Sequence, residues 1–410
     1  NELRFRKTIL GCNPKWSWLF WTILQNGLMA IPRRIENRVL KDLSKKIVIV
    51  AGPRQCGKTT FAKGLNPSFD YLNYDNLDDR ASLLQRQWDR EKDLIIFDEL
   101  HKMPKWKSWL KGIYDKESQG SSLLATGSAR LNAFRKTGDS LAGRHFYFHL
   151  HPFDLKELSL ANFRMSEAEM FSRMMTVGGY PEPFLNGETA NYKRWRQGHV
   201  DTILRQDLAD LEQVRDLRSV EVLVQLLRTK VGSGISVNAL ATDLQKDPKT
   251  VLRWLGILED LFVVFRLNPY FKDIARAVKK EPKYYFYDTG LVQGDDAQKL
   301  ENLVACALLK ECHYLSDAEG RIYTLSFMKV KGGREIDFVL VPEEKTDQAL
   351  LVEVKWGDAD VSPNFKLFQD VFKNCAKIQL VQNLKREYVS AQGVQVRKAS
   401  SWLCDFSVLN

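Results

Sequence analysis

A β-branched run, Ile47–Ala51, feeds without a spacer into Gly52, Pro53, Arg54, Gln55, Cys56, Gly57, Lys58, Thr59 and Thr60. Glycine, four residues, then glycine, lysine and a hydroxyl residue, set between a strand and a helix, is the spacing of a phosphate-binding loop. Its backbone N–H groups wrap the phosphates, Lys58 reaches the outer ones, and the Thr59 hydroxyl is placed to ligate Mg²⁺. Gly52 and Gly57 permit the tight backbone path, and the helix opening at Thr60 turns its N-terminus toward the anion. The stretch reads as a nucleotide site, for ATP or ADP, in an α/β domain, the alternative being an ordinary strand–turn–helix.

The segments that follow supply the remaining parts of such a site. Phe69–Tyr74 reads as a second strand, and Leu94–Phe97 as a third that runs directly into Asp98 and Glu99. An apolar strand ending in two acids suits Mg-ATP hydrolysis: Asp98 holds Mg²⁺ through water, and Glu99 orients or deprotonates the attacking water. Leu123–Ala125 makes a fourth strand, followed by Thr126-Gly127-Ser128, whose hydroxyls either sense the γ-phosphate or cap a turn. Arg144 precedes a fifth strand, His145–Leu150. It is either a surface residue or a trigger that neutralises transition-state charge, in its own subunit or a neighbour's, and action across an interface would require a homo-oligomer.

These segments resemble the AAA+ ATPases, and among them a poorly characterised prokaryotic type. The residues that carry the resemblance are Gly52–Thr60, Asp98-Glu99-Leu100-His101-Lys102, Thr126-Gly127-Ser128 and Leu141-Ala142-Gly143-Arg144. Pro152-Phe153 with Glu157-Leu158, Gly178-Gly179-Tyr180-Pro181-Glu182 and Arg205-Gln206-Asp207-Leu208 extend it. The resemblance implies that Asp98 and Glu99 are the Walker B acids, that Ser128 lies in sensor 1, and that Arg144 occupies the arginine-finger region. Glu99, Lys58, Ser128 and Arg144 would then be the catalytic set, with Thr59 and Asp98 on the metal. Cys56 stands where Val is commoner, a side-chain change that leaves the backbone cradle intact. Residues 160–215 read as helices, amphipathic through Ala168–Val177 and Tyr192–Leu211 and broken by Gly178-Gly179 and Pro181. In the AAA+ pattern this is a lid over the nucleotide, where Arg205 is a nucleotide or interface contact, or else a surface ion-pair residue.

Residues 216–270 suggest a helix-turn-helix: Val220–Arg228, then Asn238–Leu244, then Pro248–Leu258, with Leu261–Leu267 as a β wing. Leu240, Leu244, Val251, Leu255 and Leu258 form its apolar side, which leaves Lys249, Thr250, Arg253 and Trp254 as exposed candidates. Either Lys249 and Arg253 grip DNA, or the unit packs between its neighbours.

Beyond residue 280, Tyr284–Tyr287 reads as a strand, Leu300–Leu309 as a helix carrying Glu301, and Glu335–Leu340 and Leu350–Lys355 as strands. The two-residue period puts Glu353 and Lys355 on one face, and an antiparallel neighbour would bring Asp337 beside them. The pattern resembles the restriction-endonuclease-like fold, which implies a nuclease centre of Glu301, Asp337, Glu353 and Lys355 with a second divalent metal on Asp337 and Glu353. Otherwise Glu353 and Lys355 form an ion bridge. Phe365–Cys375 is expected to be helical, Lys377–Val381 a strand, and Gly393–Arg397 an edge strand.

At 410 residues the chain is too long for one core. The expected fold class is multidomain α/β: a P-loop AAA+ core (1–158), a helical lid (159–215), a winged-helix connector (216–270) and a restriction-endonuclease-like α/β domain (271–410). The formal charge is +10, and residues 1–46 hold ten Lys and Arg against three acids, which suits a polyanionic partner or a solvated face. Six scattered cysteines without C-x-x-C spacing read as reduced, cytoplasmic and free of zinc. The Trp-rich run Trp16–Ala30 is too short to span a bilayer and is expected to pack on the ATPase core. The functional expectation is Mg-dependent ATP hydrolysis coupled to engagement of DNA. The alternatives are a nucleotide-gated protein-interaction module with a non-catalytic C-terminal domain, and a metal-dependent DNA nuclease regulated by ATP.

Overall fold

The computed structural model describes residues 31–117, 120–128, 141–207, 216–270, 281–329, 334–345, 348–358, 360–368, 371–372 and 374–408. The basic arm up to residue 30, with the Trp16–Ala30 run, lies outside them. The chain passes through α1 (Glu36–Leu43), β1 (Ile47–Ala51), α2 (Lys58–Gly64), β2 (Phe69–Asn73) and α3 (Leu77–Gln85). It continues through β3 (Leu94–Asp98), α4 (Trp106–Glu117), β4 (Ser122–Gly127) and β5 (His145–His149). The five strands make one parallel sheet in the order β2-β3-β4-β1-β5. Along β1, Val48 and Val50 join one apolar cluster while Ile47, Ile49 and Ala51 join another. That division fits a parallel strand covered on both faces, and it explains why the run is apolar throughout rather than alternating. Parallel pairing also brings the C-terminal ends of β1, β3 and β4 to one edge, where an open α/β sheet builds its site.

Next come α5 (Leu155–Leu160), α6 (Glu167–Val177), α7 (Pro181–Asn186) and α8 (Thr189–Thr202), then a π turn over Ile203–Asp207. The helix expected over Tyr192–Leu211 thus starts earlier and loosens at Ile203, and residues 208–211 lie outside the described set. Ser166 and Glu169 form a reciprocal capping box on α6. Gly178, at φ +73°, ends α6 where a Cβ would sit 1.9 Å from Asp288 Oδ1, so only glycine fits that approach.

α9 (Leu217–Arg228), α10 (Val237–Leu244) and α11 (Pro248–Asp260) form the expected three helices, and Asp247 caps α11 through the N–H groups of Lys249 and Thr250. Lys249 and Arg253 are exposed, but Trp254 is buried. Trp254 lies three residues after Val251 and four before Leu258, which puts it on the apolar stripe of α11. Where a wing is expected, β6 (Val264–Leu267) pairs antiparallel with β7 (Lys283–Phe286), which lies past residue 270.

A 24-residue helix, α12 (Asp296–Glu319), replaces the shorter one expected over Leu300–Leu309. After it come β8 (Tyr323–Lys329), β9 (Glu335–Pro342), β10 (Gln348–Gly357), α13 (Asn364–Phe368), β11 (Asn374–Asn383), β12 (Tyr388–Val389), β13 (Val394–Lys398) and α14 (Ala399–Asp405). The sheet order is β12-β13-β11-β10-β9-β8. Two readings change here. The helix expected to reach Cys375 stops at Phe368, because Cys375 pairs with Ala349 in the parallel β10–β11 ladder. β13 is interior rather than an edge, since β12 covers it. One apolar cluster runs from Phe153 through the lid helices, α9–α11, β6, β7 and α12 to Phe406, so the connector and the C-terminal unit share a core with the lid.

Candidate functional site

The loop after β1 closes on itself and on β5. A Cβ on Gly52 would lie 2.0 Å from the Leu150 carbonyl oxygen, and Gly57 adopts φ +96°. Both positions therefore need glycine. The buried Lys58 donates from Nζ to the carbonyls of Gly52 (3.1 Å) and Pro53 (2.8 Å), which holds its ammonium along the mouth of the loop. Cys56 is fully buried and donates to the Leu150 carbonyl at 3.2 Å, and burial pushes its thiol up, so it packs as a neutral group.

Asp98 ends β3 at the centre of a hydroxyl cluster. Its Oδ2 accepts from Thr59 Oγ1 and from the Tyr71 hydroxyl, each at 2.7 Å, and its Oδ1 accepts from Thr126 Oγ1. Burial alone would raise this carboxyl, but the donated bonds of Thr126, Thr59 and Tyr71 hold it below its ordinary range, so it stays ionised. Glu99 follows in a left-handed conformation, φ +52°, and its Oε2 lies 3.3 Å from His101 Nδ1. Burial raises its carboxyl, Lys58 partly offsets the rise, and Asp98 adds to it. The two adjacent acids are therefore driven apart, one toward a fixed anion and the other toward a proton acceptor. Thr126 and Ser128 also separate: Thr126 serves Asp98, whereas Ser128 Oγ lies 3.2 Å from His101 Nε2.

Helix α8 reaches this edge. His199 Nδ1 meets Gln55 Oε1 at 2.7 Å, and Trp195 stacks on the His199 ring at 4.5 Å. Burial first, then Arg54 and Lys58, lower His199 to about 4, so a neutral imidazole fastens α8 to the loop. Arg205 is exposed. Arg144 pairs with Asp115 at 2.7 Å. It precedes His145, which sits opposite Ile47 at the start of β1, six residues of sheet or roughly 20 Å from Gly52. Strand polarity thus keeps Arg144 away from its own chain's phosphate loop and leaves the surface reading, paired with Asp115, beside action at a neighbour's site.

Behind the loop lies an ionic cluster that the sequence did not reveal. Arg33 donates to the Cys56 carbonyl at 3.0 Å and pairs with Glu157 at 3.1 Å. Glu157 in turn accepts from Lys310 of α12 at 2.8 Å and from the Arg34 N–H at 2.9 Å. Lys156 and Arg34 both meet Glu311, and His149 meets Asp317 at 2.7 Å. The phosphate loop is thereby tied through two side chains to the helix that carries Glu301.

In the C-terminal sheet the predicted residues do converge. Asp337 Oδ2 accepts from Val354 N at 2.8 Å, and Glu353 pairs with Lys355 at 2.8 Å. Beside Asp337, however, stands Lys283 of β7, fully buried, with Nζ 3.0 Å from Glu335, 3.3 Å from Glu301 and 4.0 Å from Asp337. Burial would lower this ammonium, but Glu301, Asp337 and Glu335 together raise it. Asp337 is raised well above the carboxylate range by burial, then by Glu301 and Glu353. The cation among these carboxylates is the chain's own lysine, so the arrangement does not fit a second divalent metal. A charged residue opening the buried run Lys283–Phe286 was the available sequence signal.

Residues 44–159 match the family model described as AAA domain, and residues 168–298 match one described as a domain of unknown function. The part holding the phosphate loop is thus an AAA-type core. An uncharacterized protein of Mycobacterium tuberculosis is 29% identical over 250 residues, 60% of this chain and 55% of that protein. This chain therefore spans about half the length of that relative. An uncharacterized protein of Haemophilus influenzae is 22% identical over 354 residues, 82% of this chain and 84% of that one. Among solved structures, the Aeropyrum pernix ORC1 protein in complex with DNA aligns at TM-score 0.35 with 10% identity, over 70% of this chain and 96% of that one, too slight a likeness to argue from. Among the described residues, no helix is long and apolar enough to cross a membrane.

Proposed function

We propose that the chain binds Mg-ATP on Gly52–Thr60 and hydrolyses it, with Glu99 as the general base. The observation that carries this reading is the 2.7 Å contact between Thr59 Oγ1 and Asp98 Oδ2, flanked by the buried Lys58. A hydroxyl and a fixed carboxylate form a hard oxygen pair that suits Mg²⁺, and Thr59 and Asp98 would hold it. When bound, Mg²⁺ neutralises charge on the phosphate oxygens. Lys58 exchanges its loop carbonyls for phosphate oxygens, Glu99 takes the proton of the attacking water, and Arg144 serves a neighbouring subunit's site. Titration calorimetry of the full chain with Mg-ATP tests the binding step. Lys58→Ala is expected to weaken ATP by roughly tenfold or more, the worth of about 1.5–3 kcal/mol for a hydrogen bond to a charged group. Equal affinity in the variant would move the phosphates elsewhere.

The distal partner we assign is DNA. This is supported by the exposed Lys249 and Arg253 on α11 and by the formal charge of +10. The K249A/R253A double variant is expected to lower the salt slope of duplex binding by about 2 and to abolish any stimulation of ATP turnover by duplex. No response of the wild-type chain to duplex, single-stranded or branched DNA would point to a protein partner instead. The C-terminal carboxylates take a structural role in this reading, neutralised by Lys283 and Lys355.

A further inference from the structure

Gln55 stands fourth in the phosphate loop at φ +62°, the one residue of that loop other than glycine with a positive φ. The Cys56 N–H closes a turn onto the Pro53 carbonyl at 3.4 Å, which makes Gln55 the third residue of a β-turn. A positive φ at that place ordinarily calls for glycine or asparagine, because a Cβ there crowds the following carbonyl. Gln55 is exposed, so burial of its stem does not hold it in place. The contact that does is remote in sequence: His199 Nδ1 donates to Gln55 Oε1 at 2.7 Å, from 144 residues away. His199 is itself buried and held by two rings, Trp195 stacked at 4.5 Å and Tyr180 edge-on at 5.0 Å.

Resting on the ATPase reading above, we propose that His199 is a positioning residue for the phosphate loop, which it shapes by holding Gln55 left-handed. Gln55 and Gly57, at φ +62° and +96°, flank Cys56. Left-handed residues of this kind turn successive N–H groups to one side, and the concavity they form is where an anion sits. Gly57 takes the conformation freely, whereas Gln55 needs the imidazole. Without that donor, residue 55 relaxes toward negative φ and the N–H groups diverge, so nucleotide binding has to restore the turn. One N–H is all the contact requires, and a neutral ring supplies it. Because His199 belongs to α8, the shape of the loop depends on where that helix sits. Movement of α8 off the loop weakens the nucleotide, and by linkage a bound nucleotide favours α8 in place.

The test is titration calorimetry of the full chain with Mg-ADP, for wild type, His199→Phe, Gln55→Ala, Gln55→Gly and the double variant His199→Phe/Gln55→Gly. Phenylalanine keeps a ring at position 199 but not the N–H. His199→Phe and Gln55→Ala are each expected to weaken Mg-ADP by about five- to thirtyfold, the worth of one left-handed residue that carries a Cβ. Gln55→Gly adopts the turn unaided, so it is expected to bind at least about fivefold more tightly than Gln55→Ala. Adding His199→Phe to it is expected to change affinity by less than about twofold. A merely structural role for His199 predicts the same loss in both backgrounds, and that result overturns the proposal. Gln55→Ala binding as tightly as Gln55→Gly overturns it too. If melts show that His199→Phe does not fold, the alanine–glycine comparison decides alone, because it leaves α8 untouched. A wild-type chain that takes neither Mg-ADP nor Mg-ATP overturns the ATPase reading, and the proposal with it.

Discussion

Glutamine at position 99 is expected to leave Mg-ATP affinity within a few-fold of wild type while cutting turnover by about 10²–10⁴, the range a positioned general base supplies. The amide matches the carboxylate in shape but cannot accept a proton from water, so the loss falls on kcat rather than on binding. Single-turnover hydrolysis in the variant, with affinity measured separately, separates the two. Turnover near wild type would mean that another group activates the water. The pH profile adds a signed expectation. Burial raises the Glu99 carboxyl, an effect that Lys58 only partly offsets. The acid limb of turnover should therefore lie above the ordinary carboxylate range, with activity rising as pH increases through it, and Glu99→Gln should flatten that limb.

The second large effect is on stability. Glu157 is almost fully buried and meets Arg33 at 3.1 Å and Lys310 at 2.8 Å. Glu157→Gln leaves the buried Arg33 facing an uncharged amide while Lys310 keeps Asp154 at 3.1 Å, and breaking a buried pair from one side costs about 3–5 kcal/mol. That is a large share of the roughly 5–15 kcal/mol available to a typical domain. Burial would raise the Glu157 carboxyl, but Arg33 and Lys310 bring it down to about 2. A carboxyl depressed in the folded state contributes stability above its unfolded pKa, and the contribution is lost as pH falls toward the folded value. The gap between wild type and Glu157→Gln should accordingly be full at pH 7, begin to close below the ordinary carboxylate range, and vanish near pH 2. Urea melts across that window measure it. A gap that does not vary with pH would assign the loss to packing rather than to charge.

How far the sequence reaches depends on whether the contacts are local. The phosphate loop, the Asp98–Glu99 pair and the five strands were legible because each is a short contiguous pattern whose chemistry follows from spacing. The convergence of Asp337, Glu353 and Lys355 was also legible, since strand period and antiparallel pairing sufficed. Lys283 was not, because its role depends on β7 packing beside α12, and neither segment signals the other. The Arg33–Glu157–Lys310 chain escaped for the same reason: its members lie more than a hundred residues apart. Trp254 was misjudged by treating it as a recognition residue when its spacing from Val251 and Leu258 already put it on the apolar side. His101 was visible only as part of a motif, because the left-handed turn at Glu99 that aims its ring has no sequence signature.

At one end α12 meets the buried Lys283 cluster through Glu301, and at the other it meets the five-stranded parallel sheet through Asp317 and His149. Its 24 residues make a rod about 36 Å long. A stiff rod multiplies angle into distance, so a tilt of about 5° at the Asp317 end carries the far end about 3 Å at this rise per residue. A shift too small to notice at the Asp317 end becomes, at the Glu301 end of the helix, as wide as a hydrogen bond is long.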